Sequence, residues 1–84
     1  MIDNAHVLWW AWAGDEPFGF SSDTPIYGFA VCRYDSGELY RFSCDRDWQT
    51  VNDMDHDDEE TAKRSIPANY LSSAQRIVWH RMQT

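Results

Sequence analysis

The 84-residue sequence is short of several things, and each shortage excludes something. Its longest apolar run, "VLWWAWA" at residues 7–13, is seven residues. A membrane helix needs roughly twenty, so no span is expected. There is no Gly-x-Ser-x-Gly, no phosphate-cradling glycine loop and no Cys-x-x-Cys, which removes the familiar nucleophile, nucleotide and redox signatures. Basic residues are scarce: seven Lys and Arg stand against fourteen Asp and Glu, a net charge of −7. Direct binding to nucleic acid or anionic lipid requires basic patches, so neither is expected. No basic segment precedes the first apolar run and no Asn-x-Ser/Thr occurs, so a cytoplasmic protein is expected.

What the chain does have is aromatic bulk, with five Trp, four Tyr and four Phe. Each buries on the order of 150–250 Å², enough to give so short a chain one workable core. Disorder is excluded by the same count, and a single domain over residues 1–84 is expected.

The apolar patterning favours strands. "HVLWWAWA" (residues 6–13) is apolar at both parities, as in a strand covered on both faces. "GDEPFGFSSDTP" then reads as a long loop, with one of Phe18 and Phe20 folding back on the sheet. "IYGFAVCRY" and "ELYRFSCD" flank "DSG", which suits a type I turn with Gly37 left-handed and a G1 bulge. That register sets Cys32 opposite Tyr40, Ala30 opposite Phe42 and Gly28 opposite Cys44. The better core face then carries Ala30, Cys32, Tyr34, Tyr40, Phe42 and Cys44; the other, with Tyr27, Phe29, Val31, Arg33, Leu39 and Arg41, is half-covered. Cys32 and Cys44 fall about 13 Å apart at ~3.3 Å per residue, too far for a disulfide, so both are expected as buried thiols.

Asp57 and Glu60 have the spacing of a capping box, with a helix continuing over residues 61–66 until Pro67, and pairs Glu59–Lys63 and Glu60–Arg64 on its surface. "IPANYLSSAQ" reads as a turn or short helix, and "RIVWHRM" as a closing strand with Ile77 and Trp79 on one face. The expected class is α+β: a small antiparallel sheet with one short helix, in the order β-β-β-α-β.

Charge is concentrated in "DRDWQTVNDMDHDDEE", residues 45–60, where eight carboxylates meet only Arg46. A calcium loop starting at Asp53 needs glycine at 58 and glutamate at 64; the chain has Asp58 and Arg64, so no metal and no cofactor are expected. Acid–base chemistry requires a desolvated carboxyl, and this is the most polar stretch of the chain, so no catalytic residues are assigned and an enzyme is not expected. Helix capping and the helix dipole account for Asp57, Asp58, Glu59 and Glu60. Asp45, Asp47, Asp53 and Asp55 remain, with Trp48 and Met54 among them. Trp48 reads either as a binding anchor or as a core residue at the hairpin end, and Met54 either as an anchor or as packing under the helix.

In composition alone, the chain resembles small phage-encoded inhibitors such as anti-CRISPR proteins, and bacterial immunity proteins; the resemblance carries no residue across. It implies a small acidic inhibitor that mimics nucleic acid on the basic surface of a larger nucleic-acid-handling protein. Asp45, Asp47, Asp53, Asp55 and Asp58 would supply the charge and Trp48 the anchor. The alternative expectation is an accessory module that forms a homodimer or permanent complex through its Trp-rich strand, with the acidic run a solvated face.

Overall fold

A computed structural model describes residues 5–65 and 77–82. Its strands are β1 (His6–Trp12), β2 (Gly19–Ser21), β3 (Thr24–Ile26), β4 (Gly28–Arg33), β5 (Leu39–Cys44), β6 (Thr50–His56) and β7 (His80–Arg81), with one helix, α1 (Glu59–Arg64), between β6 and β7. Among the described residues the fold is mostly antiparallel sheet with one short helix, as the patterning implied. The detailed order differs: strands β2, β3 and β6 arise where loop was expected. Five strands form one sheet in the order β6-β5-β4-β1-β7, and β2-β3 form a separate hairpin.

The β4–β5 hairpin has the expected register, with Gly28 opposite Cys44, Ala30 opposite Phe42 and Cys32 opposite Tyr40. Its turn is closed by Gly37 N–H donating to Tyr34 O and Tyr34 N–H donating to Glu38 O, each 2.9 Å. Gly37 has φ +97°, a region costly for any residue with a Cβ. Cys32 and Cys44 are buried and form no disulfide.

Both faces of this hairpin are largely buried, because apolar residues of β4 and β5 fall on each of them, with Arg41 and Ser43 the buried polar members and Arg33 exposed. On one face lie Ala30, Cys32, Phe42 and Cys44, with Val7, Tyr34 and Tyr40 against them. The face expected to be half-covered is the one that carries the helix and the second hairpin. Phe29 packs there with Ala11, Phe18 and Ile26, and Val31 and Leu39 pack with Ala62 of α1. β1 reads as apolar at both parities for two reasons. Its Val7 packs in the cluster on one face and its Ala11 in that on the other, and a register shift between Val7 and Trp9 lets both Leu8 and Trp9 pack on the helix side.

The β2–β3 hairpin comes from "FGFSSDTPI". Alternation buries Phe18 and Ile26 and leaves Phe20 54% exposed, so one phenylalanine folds back as expected. Pro25 removes a backbone donor, which confines its strand to a small sheet of this kind. At the other end of the chain, β7 is only two residues, pairing with Trp9 and Trp10. Ile77 and Trp79 face the core while Val78 and Met82 are exposed, the alternation read from "RIVWHRM". The stretch read as a turn or short helix, residues 66–75, lies outside the described residues.

A helix of six residues is too short to be stable alone, so its anchors matter. Its N-cap is Asp58, one residue later than the capping-box spacing suggested; Asp58 Oδ1 accepts the Thr61 N–H at 2.7 Å. The expected i,i+4 pairs do not form. Glu60 pairs with Lys63 at 3.2 Å, and Glu59 turns inward to accept the Trp9 indole N–H at 2.7 Å. At the C-terminal end Arg41, 2% exposed, donates to the carbonyls of Ala62 (3.2 Å) and Ser65. A buried cation thus meets carbonyls at the C-terminal end of α1, where intrahelical donors run out.

Candidate functional site: the acidic edge of the sheet

The acidic run is more than a loop leading into a helix start. It divides into a tight turn, a full edge strand and a cap, and its carboxylates meet different fates in each.

The turn is made by Asp45. Its Oδ1 accepts the N–H groups of Asp47 and Gln49, both at 2.9 Å, while its backbone N–H donates to Gln49 O and its carbonyl accepts the Trp48 N–H. Trp48 adopts φ +62°, which a bulky residue tolerates only when its surroundings hold it there. They do: its ring lies against Gly28, where a Cβ would come within 2.6 Å of Cζ3. Trp12 packs on it at 5.2 Å between ring centroids and Trp10 meets it edge-on at 6.5 Å. Trp48 is 36% exposed, so most of its surface serves this aromatic cluster. The ring is thus packed at the hairpin end and still partly exposed, a geometry compatible with either of its two readings. Asp45 and Asp58 likewise have work inside the fold, holding main-chain amides.

From Thr50 the chain runs antiparallel to β5 as β6, with Asp53 opposite Phe42, Met54 opposite Arg41 and Asp55 opposite Tyr40. Residues directly opposite share a face. Asp53 and Asp55 therefore stand on the Phe42 and Tyr40 face, both exposed, and Met54 projects from the other. Met54 is 51% exposed with its sulfur 3.9 Å from Arg41 Nη2, so it sits on the strand and not under the helix. Among the described residues, no salt bridge or side-chain hydrogen bond engages Asp47, Asp53, Asp55 or Asp57.

A third carboxylate joins this face from the next strand over. Glu38, immediately before β5, accepts hydrogen bonds from Tyr40 Oη at 3.0 Å and Ser36 Oγ at 3.1 Å. The Tyr40 phenol registers the result. Its pKa is raised, first by the hydrogen bond to Glu38, then by the charge of Glu38, with smaller contributions from burial, Asp55 and Asp53. Sequence reading missed Glu38 and Tyr40, although the hairpin register places Tyr40 on this face. The missing step was recognising residues 50–56 as a strand beside it.

The opposite face handles charge differently. Trp9 has Lys63 Nζ 3.6 Å from its ring centroid and Arg81 at 5.6 Å, its N–H bonded to Glu59, and Arg33 lies 3.9 Å from Glu59. Cations and anions meet there. On the β6 side, among the described residues, the carboxylates of Asp53 and Asp55 meet no cation.

At the end of β6, burial pushes the His56 pKa down, with the Arg41 charge adding to it and Asp55, Asp57 and Asp58 opposing. Among the described residues, no group of His, Cys, Asp and Glu has the arrangement of a metal site, and no helix is long and apolar enough to cross a membrane. No protein-family model matches the chain, and neither the curated proteins nor the solved structures provide a match.

Proposed function

We propose that the protein is a small acidic binding module that occupies the basic surface of a larger, nucleic-acid-handling protein and so competes with nucleic acid for it. The observation that carries this reading is the pairing of Asp53 and Asp55 on an exposed edge strand, beside Glu38, with no cation to meet them among the described residues. Like charges this close oppose folding, so a complementary surface would be favoured in proportion. Asp47 and Asp57 extend the same negative field at either end of β6. Asp45 and Asp58 add charge while serving the turn and the cap, and Trp48, partly exposed just before β6, supplies an apolar contact beside them. The buried thiols agree with a reducing, cytoplasmic setting.

The test is affinity capture with the intact chain from its native host, followed by competition with duplex DNA for the captured protein. Expected is displacement by DNA and binding that weakens steeply as salt rises. Capture that ignores both salt and DNA would rule the reading out.

The homodimer reading is less well supported by the fold. β1, the Trp-rich strand, is paired on both sides at Trp9 and Trp10. Joining two copies through β6 would set aspartates against aspartates.

A further inference from the structure

The acidic edge has a backbone as well as a charge. β6 is seven residues of extended chain, and among the described residues no strand lies on its outer side. In an antiparallel pair the N–H and C=O groups of alternate residues point toward the partner and the others point away. About half of the β6 groups therefore face outward, in the row that a further strand would bond. The slot has natural ends: the Asp45 turn and the register shift at Ser43/Cys44 before it, and Asp57 and the helix cap after it.

Side chains along the edge specify what could add. Asp53 and Asp55 lie two residues apart on one face; Met54 lies between them on the other, half exposed. An added strand would set residues i and i+2 beside the two aspartates and residue i+1 beside Met54. We propose that β6 accepts an extended basic segment of a partner protein as an additional strand, with Lys or Arg at i and i+2 and an apolar residue between them. This rests on the acidic-module reading above and adds to it a mode of binding and a sequence pattern.

Charge complementarity selects this occupant over a second copy of the chain. Like charges directly opposite across a strand pair are unfavourable, so Asp53 and Asp55 oppose self-pairing. Exposed edges are commonly guarded this way against aggregation. The same guard admits a strand of opposite sign, whose main-chain bonds would supply affinity and whose alternation would supply specificity.

The intact chain can be titrated, by calorimetry and amide NMR, with a peptide alternating lysine and valine over the length of β6. Its companions are a peptide of equal composition with the lysines in one block, and two N-methylated versions of the alternating peptide. One carries the methyl groups on the lysine amides, the other on the valine amides. Alternate amides share one edge of an extended peptide, so one methylated version cannot pair with β6 and the other can. Expected is tighter binding of the alternating peptide than of the block peptide, and at least a tenfold loss in one methylated version only. The largest amide shifts should fall on Thr50–His56. Asp53→Asn and Asp55→Asn should each weaken binding about two- to fivefold. Equal binding of both methylated versions, still sensitive to salt and to the aspartate substitutions, overturns strand addition and leaves the acidic-module reading standing. Absence of binding by every basic peptide overturns strand addition as well, and the capture experiment then decides the broader reading separately. A dimer of the chain in sedimentation that Asp53→Lys abolishes or strengthens would place a second copy on β6 and also overturn the proposal.

Discussion

The two faces of the sheet treat charge in opposite ways. On the helix side Arg41, Lys63, Arg33, Arg81 and Glu59 are drawn into contact with carbonyls, a carboxylate or the Trp9 ring, and they fix a helix too short to stand alone. On the other side, among the described residues, Asp53 and Asp55 stand with no counter-charge; the Tyr40 phenol registers both, and His56 registers Asp55. The difference separates charges that hold the fold from charges the fold merely carries. Substitution on one side should cost stability, and on the other should cost binding.

The largest effect is expected at Arg41. Replacing it with leucine keeps apolar bulk but leaves the carbonyls of Ala62 and Ser65 without their buried donor. At ~1.5–3 kcal/mol for a hydrogen bond to a charged group, urea denaturation should show a loss of about 3 kcal/mol. A loss under about 1 kcal/mol would mean that the helix is held by Ala62 and Trp9 without Arg41. Next comes Gly28→Ala, whose methyl would press on the Trp48 ring and displace the turn that launches β6. Overpacking of this kind costs about 1–3 kcal/mol. The double variant with Trp48→Leu should recover part of it; additive losses would show that the ring is not what the methyl meets.

The β4–β5 hairpin was legible because its signals are local: "DSG" between two alternating runs fixes the turn, the register and hence the separation of Cys32 and Cys44. The start of the short helix was legible from its capping pattern to within one residue, while its end at Arg64 falls two residues before the expected one. β6 was not legible, because "TVNDMDH" has three polar or charged residues of low strand propensity, and its pairing with β5 is decided by tertiary context. Once β6 is recognised as a strand, its apparent loop chemistry becomes edge chemistry. The charge surplus noted in sequence then loses Asp45, which holds main-chain amides, and keeps Asp47, Asp53 and Asp55, the last two side by side on the edge. Glu59 shows the same limit from the other side: its spacing to Lys63 suggested a surface pair, but the distant Trp9 indole offered a less solvated partner.

A smaller effect should separate the two kinds of aspartate directly. Asp45→Ala removes the acceptor for the amides of Asp47 and Gln49 and should cost about 1 kcal/mol of stability. The double variant Asp53→Asn, Asp55→Asn should stay within about 0.5 kcal/mol of the parent, with any change toward greater stability, while losing affinity for a basic partner. Thermal unfolding and binding measured on the same three proteins would test the split. A destabilised double variant would place those carboxylates among the groups that hold the fold.

The smallest expected effect is a pH dependence in two windows, one for each end of the β6–α1 junction. Burial and Arg41 hold the His56 pKa below its ordinary value, so on acidification the unfolded chain takes the proton first. The stability that His56 contributes is therefore complete above the ordinary histidine value of ~6.5 and declines as pH falls from there through the folded-state pKa. Asp58 is held low by the Thr61 amide it accepts from, so its contribution is complete above the ordinary aspartate range and declines as pH falls through its depressed value. Both slopes have the same sign and differ in position. His56→Gln should remove the window nearer neutrality, and Asp58→Asn should remove the acid one while keeping a side-chain oxygen to cap the helix. Unfolding midpoints followed from pH 8 to pH 3 would show the two steps. If His56→Gln left the upper slope unchanged, protonation of that ring would be as easy in the folded protein as in the unfolded chain, and the junction would not feel Arg41.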